Sequence, residues 1–120
     1  MDDFFKLEEL KEHDGTITGM IGFNRSHRIF EGHFPGVPVV PGVCMMQMVK
    51  EILEFRLKRK FLIRTADQVK FLAVINPDQV NRVHTEIHFR NIPSQETEIA
   101  ARLYFGNVTF FKLKARLTEV

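Results

Sequence analysis

A chain of 120 residues is long enough for one hydrophobic core and too short for two, so we expect a single domain over residues 1–120. A net charge of +2 is too small to indicate a nucleic-acid-binding protein, and no apolar run approaches the roughly 20 residues of a membrane span. The lone cysteine, Cys44, excludes an internal disulfide. With an N-terminus unlike a signal peptide, it favours the cytoplasm.

The first elements are short. Residues Phe4 to Leu10 are predicted to form one or two helical turns, and Asp14-Gly15 is a turn signal. Alternating apolar residues then predict a strand from Thr16 to Phe23.

A constrained loop follows, with the sequence GHFPGVPVVPG from Gly32 to Gly42. Its three prolines fix φ and its three glycines permit unusual backbone, so it forms neither a regular helix nor a central strand. His33 lies inside this loop, and histidine exchanges protons near neutral pH.

A helix is predicted from Val43. Six of the seven residues from Val43 to Val49 are apolar, which indicates a helix buried on all sides over its first two turns. Gln47 is the exception, either as a core glutamine with satisfied hydrogen bonds or as a site residue. Pro41-Gly42 opens the helix, and the free N–H groups of its first turn carry partial positive charge, which suits chemistry beside a carbonyl group.

The second half is predicted to be strands. Apolar and polar residues alternate over residues 69–75, 82–90, 97–105 and 111–117, with a tight hairpin at Gly106-Asn107. One polar face per strand indicates an antiparallel sheet that is wet on one side, with the helix against the other. The predicted class is α+β, a sheet wrapped around one long helix.

The remaining polar residues point to no metal site. His84 and His88 share a strand face with Glu86, but residues four apart on a strand are ~13 Å from each other. The cations Arg56, Lys58, Arg59, Lys60 and Arg64 are predicted to be a solvated helix end, with docking of an acidic partner as the alternative.

The loop and the helix together resemble the 3-hydroxyacyl-acyl carrier protein dehydratases, hotdog-fold enzymes of fatty-acid synthesis. The resemblance rests on Gly32 to Gly36, Pro38 and Pro41-Gly42, and extends to Asp67–Phe71 and Asn76–Val80. It implies the hotdog fold, a homodimer or an assembly of dimers, no cofactor, and a thioester substrate on acyl carrier protein or coenzyme A.

The resemblance also implies site residues. His33 is the catalytic base, the N–H groups of Gly42 and Val43 bind the thioester oxygen, and the acyl tunnel is lined by Phe34, Met45, Met46 and Met48. Gln47 stands where the family carries a catalytic glutamate or aspartate. An amide cannot supply a proton, so either His33 performs both transfers or another acid serves, with Glu51 and Glu31 as candidates.

Three functions therefore stay open. The first is a dehydratase or hydratase of 3-hydroxyacyl thioesters. The second is a hotdog subunit without activity that binds acyl chains or pairs with an active partner. The third is a thioesterase, which the complete loop disfavours.

Overall fold

The computed structural model describes residues 3–32 and 38–120. The described residues form six strands and two helices: β1 (Phe5–His13), β2 (Thr16–Phe23), α1 (Ile29–Gly32), α2 (Gly42–Leu57), β3 (Phe61–Phe71), β4 (Arg82–Asn91), β5 (Glu96–Phe105) and β6 (Val108–Glu119).

The six strands form one sheet in the order β1-β2-β4-β5-β6-β3, and every neighbouring pair is antiparallel. Alternate residues of the central strands are buried against α2, among them Ile17, Ile87, Leu103 and Leu113. The predicted α+β architecture, an antiparallel sheet around one long helix, is confirmed. It is the hotdog arrangement that the resemblance implies.

The prediction of helical turns near the N-terminus is wrong, because residues 5–13 are the edge strand β1. A β-bulge shifts the β1–β2 register between Glu8 and Lys11, and Glu9 within it has φ of 54°. The extra residue places Leu7 and Leu10, three apart, against the same core. That spacing is typical of a helix, which explains the error.

The bounds predicted for the next edge strand are also wrong. β3 starts at Phe61, eight residues before the predicted Val69, and ends at Phe71. The ladder stops because the N–H groups of Leu72 and Ala73 both donate to the Phe110 carbonyl, at 2.8 and 3.3 Å. Arg64 therefore belongs to a strand and not to a helix end.

Helix α2 has one buried side and one open side. Its buried residues are Cys44, Met45, Met48, Val49, Ile52 and Leu53. Val43 is 73% exposed and Phe55 is 68% exposed. The prediction that the first two turns are buried all round is therefore wrong for the single chain.

The outer face of the sheet carries charge pairs in register. Glu86 lies opposite Arg102, whose Nε donates to Oε1 at 2.9 Å. This hydrogen bond holds the pKa of the Glu86 carboxyl below its ordinary value. A lowered pKa in the folded state contributes stability at neutral pH, which is lost as the pH falls through that pKa.

We expect Ile52→Ala to lower the free energy of unfolding by about 2–5 kcal/mol, because it leaves a cavity beneath the sheet. Ile52 is completely buried in α2. Phe55→Ala, three residues further along the same helix, is the matched control and should change stability by less than about 0.5 kcal/mol. Urea unfolding of both variants measures the difference, and equal losses would contradict the assigned faces of α2.

Candidate functional site

The first turn of α2 presents free N–H donors. Pro41 precedes the helix with φ of −63° and ψ of 146° and makes no side-chain cap. Its carbonyl accepts the N–H groups of Cys44 and Met45 at 3.0 and 3.2 Å. Within residues 3–32 and 38–120, no hydrogen bond engages the N–H of Gly42 or Val43. These two donors point out of the positive end of the helix dipole.

Gly42 is a glycine because an aromatic ring lies against it. A Cβ at this position would lie 2.7 Å from Cε1 of Phe71, closer than real side chains approach. The Phe71 ring stacks on Phe111 with their centroids 5.3 Å apart, which sets its position beside the helix end. The missing side chain thus lets an aromatic wall reach the N–H donors.

An open groove of about 500 Å³ begins at this helix end. The Val40 N–H donates to the Ile75 carbonyl at 2.9 Å, and this bond joins the two sides of the groove. Apart from backbone groups its lining is apolar, formed by Val39, Val40, Pro41, Gly42, Met45, Phe71, Leu72, Ala73 and Val74. Sequence reasoning missed the 71–74 wall. The signal was a run of five consecutive apolar residues, Phe71 to Ile75, because alternate residues of a strand point to opposite faces and cannot all face the core.

Gln47 is on the open side of α2. It is partly exposed rather than buried, so its interpretation as a core glutamine is wrong. Its Nε2 donates to Oε2 of Glu51 at 2.8 Å, one helical turn further along. A carboxylate is therefore in direct contact with the amide.

The three methionines predicted to line the acyl tunnel lie in three different environments. Met45 is 3% exposed and borders the groove, Met48 is fully buried in the core, and Met46 packs partly buried against it. His33 and Phe34 lie outside the described residues, so the predicted roles of His33 as the base and of Phe34 in the acyl tunnel stay predictions.

The described part of the chain holds no group of three or more side chains suited to a metal ion. His84 stacks on Tyr104, and His88 shares a hydrogen bond of 3.0 Å with Thr16. None of the described helices is long and apolar enough to cross a membrane.

We expect Cys44 to resist alkylation in the folded protein. Its side chain lies in the buried stripe of α2, and burial raises the pKa of the thiol, so the reactive thiolate is scarce. Iodoacetamide should react at least ~10-fold more slowly with native protein than with protein in guanidinium chloride, as measured by mass spectrometry. Equal rates in the two conditions would show that the thiol is not enclosed.

Comparison with known proteins finds dehydratases among the relatives of this chain. The profile of the ApeI-like family, described as ApeI dehydratase, matches residues 9–102. A 3-hydroxyacyl-[acyl-carrier-protein] dehydratase FabZ of Caldicellulosiruptor saccharolyticus is 30% identical over 95 residues, which cover 72% of this chain and 64% of that protein. The FabZ of Roseobacter denitrificans is 28% identical, with 85% of this chain and 81% of that protein covered.

Solved structures share the fold. A chain of the dehydratase heterocomplex ApeI:P from Xenorhabdus doucetiae superposes with a TM-score of 0.76 at 18% identity, covering 95% of this chain and 97% of that one. At that identity the likeness shows the fold alone. The profile match spans most of the sequence, including the loop, α2 and the groove wall. The chain therefore belongs to the ApeI-like dehydratase family.

Proposed function

We propose that this protein removes water from 3-hydroxyacyl thioesters to form trans-2-enoyl thioesters, and catalyses the reverse hydration. The substrate is carried on acyl carrier protein or coenzyme A. One observation carries the proposal: an apolar groove starts at the N-terminus of α2, where no other described residue engages the N–H groups of Gly42 and Val43.

The groove suits a thioester with a hydrocarbon chain. The walls made by Met45 and by residues 71–74 offer apolar surface to the acyl chain. With the thioester carbonyl at the helix end, its oxygen accepts hydrogen bonds from the Gly42 and Val43 N–H groups. These bonds strengthen as the oxygen gains enolate charge, so they favour the transition state over the bound substrate.

His33 removes the proton from C2 of the substrate. Histidine suits this role because its imidazole takes up and releases protons near neutral pH. Gln47 holds the 3-hydroxyl group by hydrogen bonding. It orients the leaving oxygen but does not protonate it.

We expect His33→Ala to reduce the dehydration of 3-hydroxybutyryl-coenzyme A by about 10²–10⁴-fold, since it removes the positioned base. Formation of the enoyl thioester is followed by its ultraviolet absorbance. His13→Ala is the matched control, because His13 is 90% exposed on β1 and should leave the rate unchanged. Equal rates for the two variants would contradict the role of His33.

The second candidate function is a subunit without activity that binds acyl thioesters and pairs with an active partner. Gln47 favours this candidate, because an amide has no acidic proton to transfer to the leaving oxygen. The resemblance of the fold to a chain of a dehydratase heterocomplex is consistent with it. A wild-type chain that binds crotonyl-coenzyme A in calorimetry yet neither hydrates it nor releases its thiol would support this candidate over dehydratase and thioesterase alike.

The protein is a dimer in this proposal. β3 is an edge strand of the sheet, and the segment that follows it exposes apolar side chains. Phe71, Leu72 and Val74 are 55%, 54% and 67% exposed. An uncovered edge beside apolar side chains favours pairing with a second copy. Because the same segment forms a groove wall, such a partner would turn the open groove into an enclosed slot.

We expect Val74→Glu to weaken self-association by at least about 10-fold, because it places an unpaired charge in the contact. Light scattering across a concentration series measures the change. Phe55→Glu is the matched control, since Phe55 is 68% exposed in the last turn of α2, at the opposite end of that helix from the groove. A wild-type chain that stays monomeric, or two variants that associate equally, would contradict the assigned interface.

A further inference from the structure

The open face of α2 carries a polar pair directly behind the helix-end donors. Val43, Gln47 and Glu51 are spaced by four residues and lie on one side of the helix. Val43 is strongly exposed, whereas Gln47 and Glu51 are both partly buried. The pair therefore lies on the same side of α2 as the Val43 side chain in its first turn, and not on the side that faces the core.

The hydrogen bond between Gln47 and Glu51 determines which of their donor and acceptor atoms remain available to a substrate. Gln47 Nε2 donates to Glu51 Oε2 at 2.8 Å, which orients the amide. Gln47 Oε1 can then accept the hydrogen of a substrate hydroxyl group. A protonated Glu51 keeps the same bond, because its carbonyl oxygen accepts from Nε2 while its O–H donates elsewhere.

Dehydration needs a proton at the leaving oxygen, and Gln47 has none to give. Among the residues that the structure describes, Glu51 is the acid in contact with Gln47, whereas Glu31 is exposed on α1. We infer that Glu51 is the general acid of the proposed dehydration, positioned by the Gln47 amide. This inference rests on the proposed function and supplies the acid that position 47 lacks.

The step balances with the groups named. His33 takes the C2 proton, and the electrons of that C–H bond form the C2–C3 double bond. The C3–O bond breaks with its electron pair on oxygen, which takes the Glu51 proton and leaves as water. Return of a proton from His33 to Glu51 through solvent restores the starting state. Hydration runs through the same steps in reverse.

The test compares Glu51→Gln with Glu54→Gln. The first variant keeps the shape of residue 51 but removes its proton, and should lower kcat for 3-hydroxybutyryl-coenzyme A by about 100-fold or more with little change in KM. Glu54 is one turn further along α2, and its Oε2 accepts the Phe61 N–H at 2.8 Å. An amide oxygen preserves that bond, so Glu54→Gln should leave kcat unchanged.

The double variant Gln47→Glu with Glu51→Gln exchanges the acid and the amide. It should recover at least ~10-fold of the lost kcat, because a carboxyl group again lies within one hydrogen bond of the leaving oxygen. Glu51→Asp keeps an acid at residue 51 and should exceed Glu51→Gln. If circular dichroism shows that the double variant does not fold, the comparison of Glu51→Asp with Glu51→Gln tests the role of Glu51.

The possible negative results contradict different claims. An active wild type whose kcat is unaffected by Glu51→Gln overturns the role of Glu51 and leaves the proposed function standing. A folded double variant that stays as slow as Glu51→Gln also overturns that role. A wild type with no turnover in either direction overturns the proposed function itself.

Discussion

Packing of the apolar stripe of α2 against the inner face of the sheet is the contact on which the rest of this structure depends. Met48, Ile52 and Leu53 are fully buried there. Burial of each such side chain stabilises the fold by roughly 1.5–3 kcal/mol. The stripe fixes the rotation of the helix about its axis. Once that rotation is set, the direction of every other side chain on α2 follows, including Gln47 and Glu51.

The same packing places the residues that stabilise the fold and the polar pair proposed for catalysis on opposite sides of α2. The core side carries no polar side chain, so it has no buried group to satisfy. The polar pair lies on the open side. Because both side chains are partly exposed there, the desolvation penalty of the carboxyl group and the amide is small. Gly42 brings the groove to the N-terminus of α2. Because this residue has no Cβ, the Phe71 ring can lie against the helix end. The groove wall and the N–H donors of the first helical turn thereby become neighbours.

Sequence patterns predicted the elements best where their period was undisturbed. The alternation of apolar and polar residues predicted β2, β4, β5 and β6 correctly as strands. β1 was misread because a bulge near Glu9 converts a period of two into a spacing of three. β3 was misplaced because an edge strand has few buried residues to reveal it, and only Phe61 is fully enclosed along its length.

By itself the sequence determined the sheet-and-helix architecture, the position of His33 in a proline- and glycine-rich segment, and the resemblance that implies a chemistry. These features depend on residue type and local spacing, which are written directly in the chain. Only the tertiary structure decided that Gln47 faces outward against Glu51, and that residues 71–74 form a groove with the start of α2. Local spacing states which face of an element is apolar. It does not state which distant segment covers that face, because that choice is made by the packing of the whole chain.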